Sequence, residues 1–172
     1  MQYIHCFNSA GGLYYLENND YYNVIGNIVR LGIILYGLKP DYSNILPKGI
    51  KSAFTWKSVI SMVKSVKKGD YIGYGRSYKV EHDSVIATIA TGYADGLKRS
   101  LSNKGYVVIN GVKAPIIGNV CMDSFMLDVT EVENVNVGDD VYIWDNSIIT
   151  LEEVAYVAGT INYEIMCTVS AR

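Results

Sequence analysis

The pattern of apolar positions changes near residue 50. Before that point, apolar residues form a short segment at residues 2–7 and a longer one at residues 28–38 (IVRLGIILYGL), whose single charge is Arg30. A run that is apolar on both faces is typical of a strand buried in a parallel sheet. We therefore predict a strand at residues 2–7, followed by a strand-to-loop junction at residues 8–12. Residues 28–38 are predicted to hold a buried strand and the loop that follows it, within a short α/β piece over residues 1–40.

After residue 50, partly alternating segments rich in β-branched residues predict a series of strands. Residues 40–47 (PDYSNILP) form a linker by composition. The predicted strands, separated by Gly, Asn and Asp turns, are residues 54–66, 84–90, 106–110, 112–117, 125–129 and 141–144. Strands at this spacing are typical of an all-β barrel or sandwich, here from about residue 50 to residue 172.

One helix is predicted within the β region. Thr150 and Glu153 have the spacing of a capping box, in which Thr150 caps the Glu153 amide and Glu153 returns the bond. The apolar residues Val154 and Val157 follow, and Gly159 supplies a stop. A final strand is predicted at residues 164–169.

The first 40 residues are too few to form a complete sheet domain. One or two parallel strands cannot bury both of their faces alone. We therefore expect this piece to be the end of a larger domain. Its exposed apolar surface predicts self-association.

Composition narrows the class of protein. The chain has 172 residues, of which 49% are hydrophobic, and a net charge of -2. These values exclude an intrinsically disordered chain and give no general reason to bind nucleic acid or an anionic membrane. No apolar run approaches the ~20 residues of a membrane span, and no secretory signal is evident. The three cysteines form no CxxC pair, which predicts a cytoplasmic protein without a metal site.

Two tyrosines lie in glycine-containing loops that are candidates for chemistry. Tyr74 lies between Gly73 and Gly75, where the backbone can turn sharply and the ring can project. A phenol becomes a useful acid–base group when a cation or a hydrogen bond lowers its pKa. Tyr93 follows an apolar strand in the sequence TGYADG, which is typical of a ligand loop. The alternatives are a hairpin corner around Tyr74 and an ordinary Asp-Gly turn after Tyr93.

Two further segments are candidates. Residues 118–123 (GNVCMD) are consistent with core residues followed by a turn, and Cys121 is expected to be buried and structural because no histidine partners it at a recognisable spacing. Burying the charge of Arg30 inside an apolar strand costs free energy unless the guanidinium is paired with another group or faces a binding site. The glycine turn after it can offer backbone N–H groups to a phosphate. This segment favours a phosphorylated or aromatic anionic cofactor.

Six segments, in the same order, resemble the C-terminal part of the pyridoxal-phosphate alanine racemase family, including its serine-racemising relatives linked to glycopeptide resistance. They are residues 5–10 (HCFNSA), 30–33 (RLGI) with 36–38 (YGL), 73–75 (GYG), 92–96 (GYADG), 121–123 (CMD) and 160–164 (TINYE). The resemblance implies a mainly β fold. Residues 1–47 would be the last strands of an incomplete, cofactor-binding (β/α)8 barrel, and residues 48–172 the family's β-barrel-like C-terminal domain. In the family, this domain closes the site of the partner subunit in a head-to-tail dimer.

The resemblance also implies roles for residues that would meet the substrate. Tyr74 falls on the family's catalytic tyrosine, which removes or returns the α-proton on one face of a small amino acid. Met122 falls on the residue that receives the substrate carboxylate through its backbone amide. Asp123 stands beside it, and Tyr93 lies at the substrate entrance.

A second set of positions matches the family's pyridoxal 5'-phosphate contacts. Arg30 falls on the arginine that hydrogen-bonds the pyridine nitrogen, with His5 behind it as a supporting partner. An arginine does not yield a proton, so the pyridine nitrogen would stay unprotonated, which favours racemisation over side reactions. The positions that match the cofactor-phosphate contacts are Ser9, Gly32, Ile33 and Tyr163.

The sequence departs from the family in ways that affect activity. The family's other base is the lysine that holds the cofactor covalently, and none of the 15 Lys and Arg residues lies in a matching motif. The arginine that holds the carboxylate from the barrel is also absent, and Leu31 stands where the family usually has proline. We therefore expect this chain to need the missing N-terminal barrel half or a homodimer, and to be inactive in isolation.

Three functions are compatible with the sequence. The first is a two-base racemase of alanine or serine, with Tyr163 favouring alanine because its ring crowds a hydroxymethyl group. The second is a non-catalytic β module, derived from a racemase, that serves association or regulation. The third is a pyridoxal-phosphate decarboxylase, which is disfavoured because such enzymes typically pair the pyridine nitrogen with an acid, whereas Arg30 stands here.

Overall fold

The computed structural model describes residues 3–17, 26–43 and 45–169. The chain divides into two compact units, Met1–Phe54 and Thr55–Arg172. Residue 2, where the first predicted strand starts, lies outside the described residues.

The first unit contains a short parallel strand pair and a helix. Strand β1 (His5–Phe7) pairs in parallel with β2 (Ile28–Val29), and helix α1 (Ser9–Glu17) follows β1. The helix corrects the junction predicted at residues 8–12. Asn8 Oδ1 accepts the Gly11 N–H at 2.9 Å, and this cap favours a helix despite two glycines in its first turns.

Residues 28–38 contain the predicted parallel strand and the segment that follows it, but the prediction that the strand is buried is wrong. Only Ile28–Val29 is extended, and both side chains are exposed, while Ile33–Tyr36 forms a 3-10 helix. Gly37 ends that helix at φ +72°, and a Cβ there would lie 1.8 Å from the Lys51 carbonyl oxygen. The apolar run therefore turns twice rather than continuing as a strand, and only glycine fits the second turn.

The second unit is a six-stranded antiparallel barrel, one of the two architectures that the strand spacing predicted. Its strands are β3 (Trp56–Val66), β6 (Ser84–Ile89), β7 (Tyr106–Ile109), β8 (Val112–Ile117), β9 (Phe125–Asp128) and β10 (Asp140–Trp144). They follow the order β10-β3-β6-β9-β8-β7, and the Tyr142–Val108 pair joins β7 back to β10. A small hairpin of β4 (Tyr71–Ile72) and β5 (Tyr78–Lys79) forms a separate sheet.

The barrel core consists of aliphatic residues with a few aromatic ones. Side chains that are at most 1% exposed include Ile60, Ile89, Val107, Ile109, Phe125, Leu127, Val141, Ile143, Trp144 and Leu151. Close packing of this kind resists small displacements. The loops that join the strands are therefore carried on a rigid scaffold.

Helix α2 (Leu151–Ala158) confirms the predicted capping box. Thr150 Oγ1 accepts the Glu153 N–H at 3.2 Å, and Glu153 Oε2 accepts the Thr150 N–H at 2.8 Å. Gly159 ends the helix in the left-handed conformation at φ +76°. Both ends of α2 follow from local sequence.

The last predicted strand is wrong, because residues 164–169 belong mostly to helix α3 (Asn162–Thr168). Asn162 and Ile165 are buried on one face of this helix. Lys98 pairs with Glu164 at 2.5 Å, and the Thr168 hydroxyl donates to the Gly96 carbonyl at 3.2 Å. These tertiary contacts outweigh the strand preference of the β-branched residues.

No helix within the described ranges has the length and apolar character needed to cross a membrane.

Candidate functional site

A cleft in the second unit brings together four residues that the sequence singled out. Its volume is about 500 Å³. Three connecting segments border it: residues 73–77 between β4 and β5, residues 92–99 after β6, and residues 118–124 between β8 and β9. The lining residues are Tyr74, Tyr93, Arg99, Asn119, Val120, Cys121, Met122, Asp123 and Ser124.

Tyr74 projects from a turn with left-handed backbone on both sides. Gly73 has φ +77°, Gly75 has φ +70° and Arg76 has φ +55°. This backbone leaves the Tyr74 side chain 78% exposed, as expected of a tyrosine between two glycines. The Arg76 guanidinium lies 5.1 Å from the centre of the Tyr71 ring, so it packs on the β4–β5 hairpin by a cation–π contact.

The turn that carries Tyr93 is hydrogen-bonded to the backbone of Cys121 and Met122. The Tyr93 N–H donates to the Cys121 carbonyl at 2.9 Å, and the Ala94 N–H donates to the Met122 carbonyl at 3.0 Å. A Cβ on Gly92 would lie 2.2 Å from the Met122 carbonyl oxygen. Glycine is therefore required at position 92 for the two segments to approach this closely.

The sequence predicts no role for Arg99 or Asn119, although both line the cleft. Arg99 follows Tyr93 by six positions, and Asn119, within the candidate segment 118–123, precedes Met122 by three. The sequence indicates only that both residues lie close to motif residues along the chain. It does not show that their side chains line the same cleft. Asn119 Nδ2 donates to the Tyr74 carbonyl at 2.9 Å, so it links two of the three segments.

The cleft carries one charged group of each sign, Arg99 and Asp123. The neighbouring Lys98 is engaged elsewhere, because its ammonium binds the Glu164 carboxylate. Hydrogen bonds from Lys98 and from the Thr160 hydroxyl lower the pKa of Glu164. Arg99 therefore supplies the positive charge at the wall of the cleft.

Cys121 is half-buried and lines the cleft rather than lying in the core. Its thiol is 3.3 Å from the Asn119 carbonyl oxygen. In the described parts of the chain, no group of three His, Cys, Asp or Glu side chains could hold a metal ion.

In the first unit, the structure places two of the predicted cofactor residues in direct contact. Ser9 is 4% exposed, and its Oγ accepts the Gly32 N–H at 2.8 Å. A hydroxyl that accepts one bond can still donate its own proton. Ile33, the residue after Gly32, begins the 3-10 helix and is buried.

His5 lies against Arg30 in the first unit. Arg30 Nη1 is 2.6 Å from His5 Nδ1, and both residues are exposed. A guanidinium can only donate hydrogen bonds. In a hydrogen bond between these two atoms, Arg30 Nη1 is therefore the donor and His5 Nδ1 the acceptor.

Tyr163 is the one predicted site residue of the second unit that does not line the cleft. It lies on α3 and is 37% exposed. The structure therefore groups Tyr74, Tyr93, Met122 and Asp123 in one cleft, and leaves Tyr163 apart from them.

The family model and the relatives that are similar to this chain in sequence belong to one family. Residues 53–172 match the family model described as alanine racemase, C-terminal domain. The chain is 45% identical over 149 residues to alanine racemase 1 of Clostridium acetobutylicum, a match that covers 83% of this chain and 38% of that protein. It is 42% identical over 178 residues to the alanine racemase of Halalkalibacterium halodurans, covering 100% of this chain and 44% of the relative.

Solved structures agree with the sequence matches. Alanine racemase from E. faecalis superposes with a TM-score of 0.86 at 37% identity, over 98% of this chain and 44% of that one. Alanine racemase from Bartonella henselae, solved with covalently bound pyridoxal phosphate, superposes with a TM-score of 0.86 at 34% identity, over 97% of this chain and 44% of that one. The chain thus spans about two-fifths of the length of the relatives that it matches. These matches show that the chain belongs to the alanine racemase family.

Proposed function

We propose that this chain supplies one side of the active site of a pyridoxal-phosphate-dependent racemase that interconverts L- and D-alanine. The observation that supports this most strongly is the cleft, which holds an exposed phenol beside one cation and one carboxylate. The relatives named as alanine racemases supply the choice of reaction.

Tyr74 is the proposed acid–base group. Racemisation removes the α-proton from one face of the amino acid and delivers a proton to the opposite face, so it needs a proton carrier on each side. With 78% of its side chain exposed, Tyr74 can reach a substrate that enters the cleft. It accepts the α-proton in one direction of the reaction and returns it in the other.

The remaining cleft residues would bind and orient the amino acid. The Met122 backbone N–H donates to the substrate carboxylate, and Tyr93 borders the entrance to the cleft. Asp123, beside Met122, is proposed to border the bound substrate, and Arg99 also lines the cleft. Tyr163 is proposed to contact the cofactor phosphate and to crowd a hydroxymethyl group, which favours alanine over serine.

The residues of the first unit fit the cofactor in their chemistry. The buried Ser9 hydroxyl, with the backbone at Gly32 and Ile33, offers donors of the kind that a phosphate accepts. Arg30, whose Nη1 is bonded to His5, offers a donor that suits an unprotonated ring nitrogen. When bound, the cofactor supplies an electron-withdrawing ring that makes the α-proton of the amino acid acidic.

The chain is proposed to act together with an N-terminal barrel domain. Residues 1–47 would belong to that barrel, and residues 48–172 would form the separate β domain of a head-to-tail dimer. Because no lysine of this sequence lies in the family's cofactor-binding motif, the chain alone with added pyridoxal phosphate is expected to show no racemisation.

A racemase chimera tests the proposal. In it, this chain replaces the aligned 44% of the E. faecalis alanine racemase. Tyr74→Phe is compared with Tyr156→Phe, because Tyr156 is 77% exposed and lies on α2, away from the cleft. We expect Tyr74→Phe to lower the rate of racemisation by about 10²- to 10⁴-fold, and Tyr156→Phe to leave it unchanged.

Two results would contradict the proposal. One is a Tyr74→Phe chimera that racemises alanine as fast as the parent chimera. The other is a folded chimera that binds pyridoxal phosphate and racemises nothing, which would favour the non-catalytic association module.

A further inference from the structure

The turn that carries Tyr74 is held at both ends by asparagine side chains. Asn119 Nδ2 donates to the Tyr74 carbonyl at 2.9 Å, and Asn103 Nδ2 donates to the Ser77 carbonyl at 3.4 Å. Asn103 Oδ1 also accepts the Gly118 N–H at 2.6 Å. Asn103 therefore joins the end of the turn to the segment from which Asn119 reaches its start.

The turn has little to fix it from within. Its internal backbone bond runs from the Arg76 N–H to the Gly73 carbonyl at 3.2 Å. Gly73 and Gly75 add backbone freedom, and the exposed Tyr74 ring contributes little packing. The position of Tyr74 therefore depends on the groups that hold the turn from outside.

Those groups belong to a segment that is itself well anchored. Residues 118–124 connect β8 to β9, so both of their ends are fixed by the barrel. The Val120 N–H donates to Ser102 Oγ at 2.9 Å, beside Asn103. A Cβ on Gly73 would lie 3.1 Å from the Asn119 backbone nitrogen, so the turn and the segment are already in close contact.

We propose that Asn119 is a positioning residue for Tyr74, with Asn103 fixing the far end of the same turn. The inference rests on the proposed function of Tyr74 as a proton carrier. Proton transfer requires donor and acceptor within hydrogen-bond reach, and a displacement of about 1 Å can cost on the order of 100-fold in rate. Asn119 limits such displacement through the Tyr74 carbonyl, without touching the phenol.

The chain offers a matched control for Asn119. Asn136 Nδ2 also donates to a backbone carbonyl at 2.9 Å, that of Asn134. It lies in the turn before β10 and does not line the cleft. Asn119→Ala and Asn136→Ala therefore remove the same kind of bond, but only the first removes it from the Tyr74 turn.

The first measurement uses the racemase chimera. Asn119→Ala is expected to lower kcat about tenfold while KM changes less than twofold, and Asn136→Ala to change neither. With α-deuterated alanine, the isotope effect should rise in one direction only, the direction in which Tyr74 accepts the proton. Asn119→Asp keeps the size of the side chain but removes the N–H donor. Its kcat should therefore fall as much as that of Asn119→Ala.

The second measurement needs no catalysis. Backbone ¹⁵N relaxation of this chain reports motion at Tyr74 and Gly75. Their order parameters should fall in Asn119→Ala and stay at the wild-type value in Asn136→Ala. Unchanged order parameters in Asn119→Ala would overturn the inference whatever the activity of the chimera.

Tyr74→Phe, assayed in parallel, separates the two proposals. If Tyr74→Phe keeps full activity, the proposed role of Tyr74 fails, and the role of Asn119 fails with it. If Tyr74→Phe loses activity while Asn119→Ala keeps its kcat and its isotope effects, the positioning role is wrong and the catalytic role of Tyr74 stands.

Discussion

Replacing Asp145 with asparagine is expected to remove about 2 kcal/mol of acid-sensitive stability from the barrel. The Asp145 carboxylate closes the loop between β10 and α2. Its Oδ1 accepts the backbone N–H groups of Ile148 and Ile149, both at 2.9 Å. Its Oδ2 accepts the Ser147 hydroxyl at 2.5 Å.

The hydrogen bonds to the Asp145 carboxylate determine whether its contribution to stability is lost at low or at high pH. Partial burial raises the pKa of Asp145, but the hydrogen bonds from Ile149, Ser147 and Ile148 together outweigh it and lower the pKa from 3.8 to about 2. A carboxyl group with a lowered folded-state pKa stabilises the fold above its unfolded pKa. That contribution is lost as the pH falls through the folded value. The window therefore extends from about pH 5 down to about pH 2.

The size of this contribution to stability follows from the pKa values of Asp145 in the unfolded and the folded chain. The difference between 3.8 and about 2 corresponds to about 2 kcal/mol, at about 1.36 kcal/mol per pH unit. By linkage, about half of this is lost by pH 3 and most of it by pH 2.

Urea denaturation followed by tryptophan fluorescence measures the effect on the barrel. The two tryptophans of the chain, Trp56 and Trp144, lie in the barrel strands β3 and β10 with ring centres 5.2 Å apart. The wild type should lose about 2 kcal/mol more stability than Asp145→Asn between pH 6 and pH 2. Ser147→Ala, which removes one of the donors, should show an intermediate loss. A stability difference between wild type and Asp145→Asn that is the same at pH 6 and pH 2 would show that the Asp145 carboxylate contributes no acid-sensitive stability.

Two further substitutions test local features of the barrel unit. Gly92→Ala should displace the Tyr93 turn, because its Cβ would lie 2.2 Å from the Met122 carbonyl oxygen; a crystal structure of the variant with an unmoved turn would contradict this. Thr150→Ala should lower the free energy of unfolding by about 1 kcal/mol through loss of the helix cap, and urea midpoints equal to the wild type would show that the cap contributes nothing.

Local sequence predicted the parts of the fold in which neighbouring residues determine structure. The strand spacing predicted the strands of a barrel or a sandwich, and Thr150 with Glu153 predicted the start of α2. Prediction from local sequence failed where contacts between residues that are distant along the chain determine the structure. The 28–38 segment turns at Gly37 because the Lys51 backbone lies against it, and α3 is a helix because of its contacts with Lys98 and Gly96.

The candidate site shows the same division. The Gly-Tyr-Gly pattern predicted the exposed turn of Tyr74, because left-handed backbone is a local property of glycine. The inclusion of Arg99 and Asn119 in the cleft depends on three loops meeting in space, which no spacing along the chain reveals. The contact between Asn119 and the Tyr74 carbonyl joins residues 45 positions apart, so only the fold shows it.

Exchange of the α-proton with solvent deuterium tests whether Tyr74 is the proton carrier on one face of the substrate. L- and D-alanine are incubated separately in D₂O with the Tyr74→Phe chimera, and the loss of the α-proton signal is followed by NMR. If Tyr74 is the acid–base group on one face, racemisation slows by about 10²- to 10⁴-fold. One enantiomer still exchanges its α-proton with retention of configuration, and the exchange of the other slows with racemisation. Racemisation at the rate of the parent chimera, or equal exchange of both enantiomers, would contradict the proposed role of Tyr74.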